Sequence, residues 1–344
     1  MRFQNAWSQP VSLALFSFTV LALLPVVRLP SAAAHEGLTH GDAPGGMDNQ
    51  HMIPDFCAAP TISSVQDGLW SNPATWSLGR IPGSNDAVEI RSGTDIVYDR
   101  VSDDALECLR VLEGGHLEFN TAINTRLKVG TLVVFGHLEI GTKAMPVDED
   151  VTAEIIIADH PLDTTFDPRQ FGTALLVRRQ GKLTIHGAPK TPSFVRLAQE
   201  PTKGATTLFT AEPVASWKPG DRMVLPDTRQ LTLAERNTYV PQIEALTVGA
   251  VTGGSQVALI GSLQFDHKGA RNGDGVLEFL PHVANLTRNV VIRSENPAGT
   301  RGHILATEQA DVDVRYAEFD GLGRTKAEEC LDSTIFDEMG AVLY

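Results

Sequence analysis

Basic residues are scarce in this sequence. Its 344 residues contain 28 lysines and arginines against 42 aspartates and glutamates, which gives a formal net charge of −14 at pH 7. Proteins that bind nucleic acid cover its phosphates with a basic surface, so this balance argues against that class of partner. It also argues against a broad electrostatic grip on an anionic polysaccharide. Any such contact has to be local, from a few cations set in an acidic background.

Cysteine and aromatic residues are also few. Only Cys57, Cys108 and Cys330 occur, and no CxxC spacing of a zinc site is present. An oxidising compartment favours pairing, and a Cys57–Cys108 bond would tie the N-terminal arm to the first repeat and leave Cys330 over. Aromatic residues make up 6% of the chain, whereas there are 30 glycines and 20 prolines. Long apolar helical periods are hard to find, which favours an all-β protein.

The one long stretch without charge lies at the N-terminus. Residues 11–27 are apolar, Arg2 precedes them, and Ser31-Ala-Ala-Ala34 follows. This pattern predicts a secretory signal peptide, residues 1–34, cleaved after Ala34. A retained membrane anchor is the alternative, but the run of about 17 residues is short for a span. We therefore expect a secreted protein, extracellular or periplasmic, without a retained transmembrane segment.

A short phrase is written three times between Leu109 and Gly187. Aligned on the glycine before a His or Lys, its copies sit at Gly115, Gly136 and Gly181. A period of about 21 residues, followed by one about twice as long, predicts a β-solenoid with one irregular repeat. Alternation places three apolar pairs on one strand face, and stacking would bury them as a ladder. The pairs are Leu117 and Phe119, Leu138 and Ile140, and Leu183 and Ile185.

Two tryptophans, Trp70 and Trp76, lie in a loop-rich run before the strands predicted at 87–90 and 95–98. One interpretation is a platform that stacks against sugar rings. The other, which we favour, is an aromatic lid over the open end of the solenoid, where the terminal repeat needs covering.

An ordered series of motifs resembles the eight-glycine (G8) domain family. It includes Trp70 and Thr75-Trp76, the Ile81-Pro-Gly turn, and the two Gly-His-Leu-Glu segments at Gly115 and Gly136. The resemblance implies a right-handed parallel β-helix. It also implies a protein that binds or depolymerises an extracellular polysaccharide, hyaluronidase-like, since the family includes hyaluronan-binding and hyaluronan-degrading surface proteins. A histidine-rich family motif of the type Tyr-x-x-His-Phe-His is missing here, so the resemblance to the enzymes is incomplete.

Polar residues cluster between positions 264 and 303. In a solenoid, residues on successive coils line up on one face, so distant positions could converge. Arg binds uronate carboxylates, and acid and base pairs cleave glycosides. The candidate catalytic residues are Asp266, His267, Asp274, Arg288 and His303. Structural side-chain ladders are the alternative role for such residues.

An acidic run, Asp148-Glu149-Asp150, lies in the segment that lengthens the irregular repeat. Carboxylates are ligands of hard cations, so these three residues are candidate Ca²⁺ ligands. A solvated loop is the alternative.

The predicted organisation has five parts: signal peptide 1–34, leader 35–60, G8 domain 61–170, β-helix continuation 171–326 and an atypical short tail 327–344. Hairpin strands at 242–251 and 255–260, joined by Thr252-Gly-Gly, predict an inserted β lobe. Two functions stay open. One is an enzyme or binder acting on a hyaluronan-like polysaccharide, and the other is a non-catalytic surface module that binds a glycan or a protein.

Overall fold

The computed structural model describes residues 53–232 and 238–324. The predicted signal peptide, most of the predicted leader and the whole predicted tail, with Cys330, lie outside the described residues. No helix within the described part of the chain is long and apolar enough to cross a membrane.

The described residues form an all-β structure, with a 3-10 turn at Pro73–Thr75. The strands are, in chain order, β1 (Ile62–Ser63), β2 (Gly68–Leu69), β3 (Ala87–Ile90), β4 (Asp95–Tyr98), β5 (Val101–Val111), β6 (His116–Phe119), β7 (Thr125–Val134), β8 (His137–Ile140), β9 (Ala153–Ile157), β10 (Ala174–Val177), β11 (Lys182–His186), β12 (Phe194–Arg196), β13 (Thr207–Phe209), β14 (Arg222–Leu225), β15 (Glu244–Thr252), β16 (Gln256–Leu259), β17 (Ala270–Arg271), β18 (Leu277–Phe279), β19 (His282–Asn285), β20 (Val290–Ser294), β21 (His303–Ala306), β22 (Asp311–Arg315) and β23 (Ala317–Asp320).

Two sheets are built from parallel strands. The first has the order β1-β3-β5-β7-β9-β20-β23, with β10 pairing to β7 and β21, and the second has the order β2-β4-β6-β8-β11-β22. From β1 to β8 successive strands alternate between the sheets, and each of β1 to β7 pairs with the strand two positions further along. Because the paired strands are parallel, the chain passes from one sheet to the other after each of these strands and then returns to the first. The predicted all-β class is thereby confirmed.

The threefold phrase forms three neighbouring strands of the second sheet. Leu117 aligns with Leu138, and Leu138 aligns with Leu183. All six apolar residues of the phrase are at most 2% exposed. The alternation therefore predicted the buried face correctly, because side chains on a strand point to opposite sides in turn.

The long step between the second and third copies comes from an inserted strand in the irregular repeat. No strand is missing between them in the second sheet, since β8 pairs directly with β11. The extra residues instead contain β9, which pairs with the N-terminal half of β7, while β10 pairs with its C-terminal half. One ten-residue strand thus supports two separate neighbours, and the first sheet branches there.

An aromatic series fills the interior near the N-terminal end of the sheets. Trp70 and Trp76 are 3% and 2% exposed, with ring centroids 4.7 Å apart. Tyr98 contacts Trp70 at 5.0 Å and Phe119 at 4.9 Å. Because both indole faces are buried, the sugar-platform interpretation is wrong, and the tryptophans serve as core residues at the end of the sheets.

A disulfide joins Cys57 to Cys108 of β5. This confirms the predicted pairing. It fastens the segment before β1 to the middle of the first parallel sheet, across a sequence separation of 51 residues.

An antiparallel lobe is inserted between β11 and β20. Its six strands follow the order β12-β19-β14-β15-β16-β13 around a separate apolar core that includes Leu208, Trp217 and Met223. The predicted hairpin is present as β15 and β16, joined at Thr252 to Ser255. After the lobe, β22 and β23 are separated by a break at Tyr316, whose φ is 54°. The break turns the chain from the second sheet to the first.

Candidate functional site

His267 is a core residue of the antiparallel lobe and is 1% exposed. Its Nε2 lies 2.9 Å from Glu244 Oε1, and its Nδ1 lies 3.0 Å from the carbonyl oxygen of Pro226. Glu244 also accepts hydrogen bonds from the backbone N–H groups of Gln264 and Phe265. Both ring nitrogens are thus occupied inside the lobe, and this histidine connects strands rather than facing a groove.

The two candidate aspartates form hydrogen bonds with other partners than those of His267. Asp266 is exposed and accepts the backbone N–H of Lys203 at 2.8 Å. Asp274 is exposed at the tip of the β17–β18 hairpin, and its own N–H donates to Asn272 Oδ1. These contacts fix loops and do not form an acid and base pair.

Arg288 and His303 occupy two further environments. Arg288 donates to the carbonyl oxygens of Asn285 and Thr287 and lies 5.9 Å from the Tyr316 ring centroid. Burial lowers the pKa of its guanidinium. His303 starts β21 and aligns with Ala174 of β10. No hydrogen bond among the described residues joins His267, Arg288 and His303, so their convergence stays a prediction.

The titration of His303 gives a test of this placement. Burial, helped by Arg324 and opposed by Asp167, lowers the pKa of the imidazole to about 4. The unfolded chain has the ordinary value near 6.5, so between these values the unfolded state binds more protons. The contribution to stability is therefore complete above pH 6.5 and is lost as the pH falls to 4.

We expect acidification from about pH 7 to about pH 4.5 to destabilise the wild type more than His303→Gln, by about 1–2 kcal/mol in the free energy of unfolding. Urea unfolding at the two pH values measures this difference. The matched control is His282→Gln, at an exposed position, which keeps the wild-type response. An unchanged pH response in His303→Gln would contradict the burial argument.

The acidic run at 148–150 does not form a set of converging ligands. Glu149 Oε2 lies 2.8 Å from Lys218 Nζ, and Asp150 Oδ1 lies 3.6 Å from the same atom. Among the described residues these three carboxylates do not make a group of potential metal ligands. Two of them instead neutralise a lysine of the lobe, so the convergence needed for a Ca²⁺ site is absent there.

A cleft of about 630 Å³ does occur in the lobe, and Asp266 lies on its wall. Four cationic side chains line the cleft: Lys203, Arg229, Lys268 and Arg271. Three glutamine side chains and Phe265 line it as well. The arginines are held by carboxylates, since Arg271 donates to both oxygens of Glu200 and Arg229 donates to Asp227. Neither lysine forms an ion pair with a described residue.

A buried polar network, missed from sequence, lies where the lobe meets the parallel sheets. Asp221 accepts Lys190 Nζ at 3.0 and 3.1 Å, Asn285 Nδ2 at 2.8 Å and the N–H of Lys218 at 2.9 Å. Asn285, the asparagine of the sequon Asn285-Leu-Thr287, is 1% exposed. Its amide is therefore committed to the fold and does not face solvent.

A second missed feature is a file of titratable side chains on the outer face of the second parallel sheet. Asp95, His116, His137, Lys182 and Asp311 are aligned on five successive strands. Burial, followed by the charges of His116 and Lys182, lowers the pKa of His137 to about 4. The repeated Gly-His-Leu-Glu phrase was the available signal, because its inward leucines require that the histidines stack outside.

The family model described as the G8 domain matches residues 75–198. The resemblance to the G8 family is confirmed. The match covers the first and second parallel sheets from Thr75 through β11 and reaches β12 of the lobe.

Several proteins resemble the chain beyond the G8 segment. Human fibrocystin-L is 28% identical over 278 residues, which are 79% of this chain and 6% of that protein. Dog fibrocystin (Canis lupus familiaris) is 26% identical over 245 residues, 70% of this chain and 6% of that protein. A G8 domain-containing protein of Dictyostelium discoideum is 22% identical over 247 residues, 69% of this chain and 21% of that protein.

The chain therefore spans a small part of the length of these relatives. Among solved structures, the tailspike of Pseudomonas phage phi297 is 13% identical, with a TM-score of 0.23, over 63% of this chain and 27% of that chain. A score this low supports no argument about the fold.

Proposed function

We propose that this chain is an extracellular G8-domain module that binds an acidic, hyaluronan-like polysaccharide without cleaving it. The observation that carries the proposal is the lobe cleft, where Lys203, Lys268, Arg229 and Arg271 meet in a chain of net charge −14. Four cations in one cleft supply the local contact that an acidic protein needs to bind a polyanion.

The chemistry of the cleft fits a uronate-bearing chain. Glu200 accepts hydrogen bonds from Nη1 and Nη2 of Arg271 and fixes the guanidinium plane, so contact with a uronate carboxylate would use the Nε edge. The two lysines supply mobile ammonium groups that need not break an ion pair with a described residue. Phe265 offers an apolar surface beside the glutamines, as sugar-binding clefts commonly require.

The non-catalytic part of the proposal rests on the candidate catalytic residues. His267 is bound on both nitrogens within the lobe, and Asp266 and Asp274 fix loops. Glycoside hydrolysis needs two carboxyl groups that flank one bond, and these residues do not supply that pair. The hyaluronidase interpretation stays a prediction that the same samples test.

The inferred fold belongs to this proposal. The alternation of strands between two parallel sheets supports a right-handed parallel β-helix as the scaffold that presents the lobe. Secretion is inferred from the sequence pattern of residues 1–34.

The test is isothermal titration calorimetry, which measures the binding of hyaluronan oligosaccharides to the purified chain at low and at physiological salt. We expect Lys203→Gln/Lys268→Gln to weaken binding about tenfold or more, and we expect added salt to weaken wild-type binding. The charge-matched control Lys143→Gln/Lys182→Gln lies outside the cleft and keeps wild-type affinity.

Gel electrophoresis of high-molecular-weight hyaluronan incubated with the chain tests whether the protein cleaves the polysaccharide. We expect no shortening. Shortened chains would overturn the non-catalytic assignment. Absence of binding to hyaluronan and to two other acidic polysaccharides, by protein that circular dichroism shows to be folded, would overturn the glycan assignment and favour a protein partner.

A further inference from the structure

The outer face of the second parallel sheet carries a group of metal-ligating side chains. One donor atom from each of His116, His137 and Glu139 lies within 4.8 Å of the other two, and this is the one such group among the described residues. The three residues come from neighbouring strands β6 and β8, and all are partly buried.

The register of the sheet brings the histidines together. His116 aligns with His137, and their rings are stacked, with centroids 4.6 Å apart and an interplanar angle of 7°. Glu139 lies two residues beyond His137 and therefore points to the same face. Its Oε2 is 3.6 Å from His137 Nε2.

One histidine has an atom without a partner. His116 Nδ1 lies 3.5 Å from Asp95 Oδ1, while its Nε2 is buried and forms no hydrogen bond with the described residues. A carboxylate beside one ring nitrogen orients a histidine so that the other nitrogen is free to coordinate a metal. An unpaired buried nitrogen is otherwise costly, so it points to a ligand.

We propose that His116, His137 and Glu139 bind a divalent first-row transition ion, Zn²⁺ or Cu²⁺. Two imidazoles and a carboxylate form a donor set that suits these ions, whereas Ca²⁺ prefers oxygen ligands alone. The nitrogens of a tetrahedral ion stand about 3.4 Å apart at bond lengths near 2.1 Å, so the two rings tilt out of their stack on binding.

The surroundings of the group set its strength. Asp95 aligns with His116, Glu118 aligns with Glu139, and both carboxylates attract a cation. Lys182 aligns with His137 on the next strand, and its positive charge disfavours cation binding. Asp311 aligns with Lys182 and offsets that charge. Thr184 Oγ1, 3.0 Å from His137 Nε2, must give up this contact when the nitrogen binds an ion.

The experiment titrates the full chain with Zn²⁺ against a chromophoric chelator, and with Cu²⁺ followed by electron paramagnetic resonance. His35, His40 and His51 are replaced by Ala in every sample, so that histidines near the N-terminus do not contribute. We expect one ion per chain, nitrogen hyperfine coupling from two imidazoles, and a rise in melting temperature with Zn²⁺.

His137→Gln should lower the affinity at least about 100-fold and abolish both the two-nitrogen signal and the Zn²⁺-dependent rise. Glu139→Gln, which replaces the carboxylate by an amide of the same shape, should lower it about tenfold, which keeps the test valid if His137→Gln misfolds. His282→Gln, an exposed histidine of the lobe, is the matched control and keeps wild-type binding. Wild-type affinity in both ligand variants, or no binding at all by the folded chain, would overturn the proposal.

Discussion

Replacing Gly136 by alanine is expected to lower the free energy of unfolding by about 3 kcal/mol or more. A Cβ at this position would lie 2.2 Å from the carbonyl oxygens of Gly115 and Leu112. Both atoms belong to the backbone of the adjoining turn, so neither can move without shifting a strand. Chemical denaturation followed by circular dichroism measures the loss.

The other glycines of the repeated phrase should follow in order of crowding. At Gly181 the nearest backbone oxygen would be 2.4 Å from the added carbon, and at Gly115 it would be 2.8 Å. We expect the losses to rank Gly136, Gly181, Gly115. Gly83→Ala is the matched control, because nothing lies within 4 Å of its Cβ position, and its effect should stay within about 0.5 kcal/mol. Equal effects at Gly83 and Gly136 would contradict the close stacking of the turns.

Asp221→Ala is the second large effect, with an expected loss of about 3–5 kcal/mol. Asp221 and Lys190 are 5% and 6% exposed, and the carboxylate accepts four hydrogen bonds. Its removal leaves the Lys190 ammonium buried, with Glu149 Oε1 3.7 Å away as the remaining carboxylate contact. The amide of Asn285 also loses its acceptor. Urea unfolding measures the change.

Two further variants separate this explanation from a general effect of losing a carboxylate. Asp274→Ala removes an exposed carboxylate and should change stability by about 0.5 kcal/mol or less. Lys190→Met combined with Asp221→Leu removes both buried charges and should recover much of the loss. If the double variant were as unstable as Asp221→Ala, the buried lysine would not be the source of the destabilisation.

The inward side of the second parallel sheet was predictable because its signal is local. Leu117, Leu138 and Leu183 repeat with a strand period and follow a glycine each time, and burial of apolar surface selects one register. The hairpin at Thr252-Gly-Gly was predictable for the same reason. The sequence suggested a bond between Cys57 and Cys108 because an exported protein favours pairing, but it left the choice among the three cysteines open.

The surroundings of the five candidate catalytic residues were not predictable in the same way. Its residues come from the inserted lobe and from strands that return to the parallel sheets after it, and pairings such as β9 with β20 depend on hydrogen bonds between distant segments. The prediction assumed that residues on successive coils of one solenoid line up on one face. Insertion of the lobe places His267 in a core of its own, whereas His303 returns to the first sheet beside Ala174.

By itself the sequence determined the all-β class, the repeated buried face and the G8 resemblance. Each of these depends on short local segments, either a repeated alternation or an ordered series of motifs. Only the tertiary structure decided which polar groups meet. The cations of the lobe cleft, the Asp221 network and the stacked pair His116 and His137 arise from contacts between strands and loops that the chain order separates. Local spacing determines the direction of a side chain along a strand, but its neighbours depend on the register and on where the chain returns.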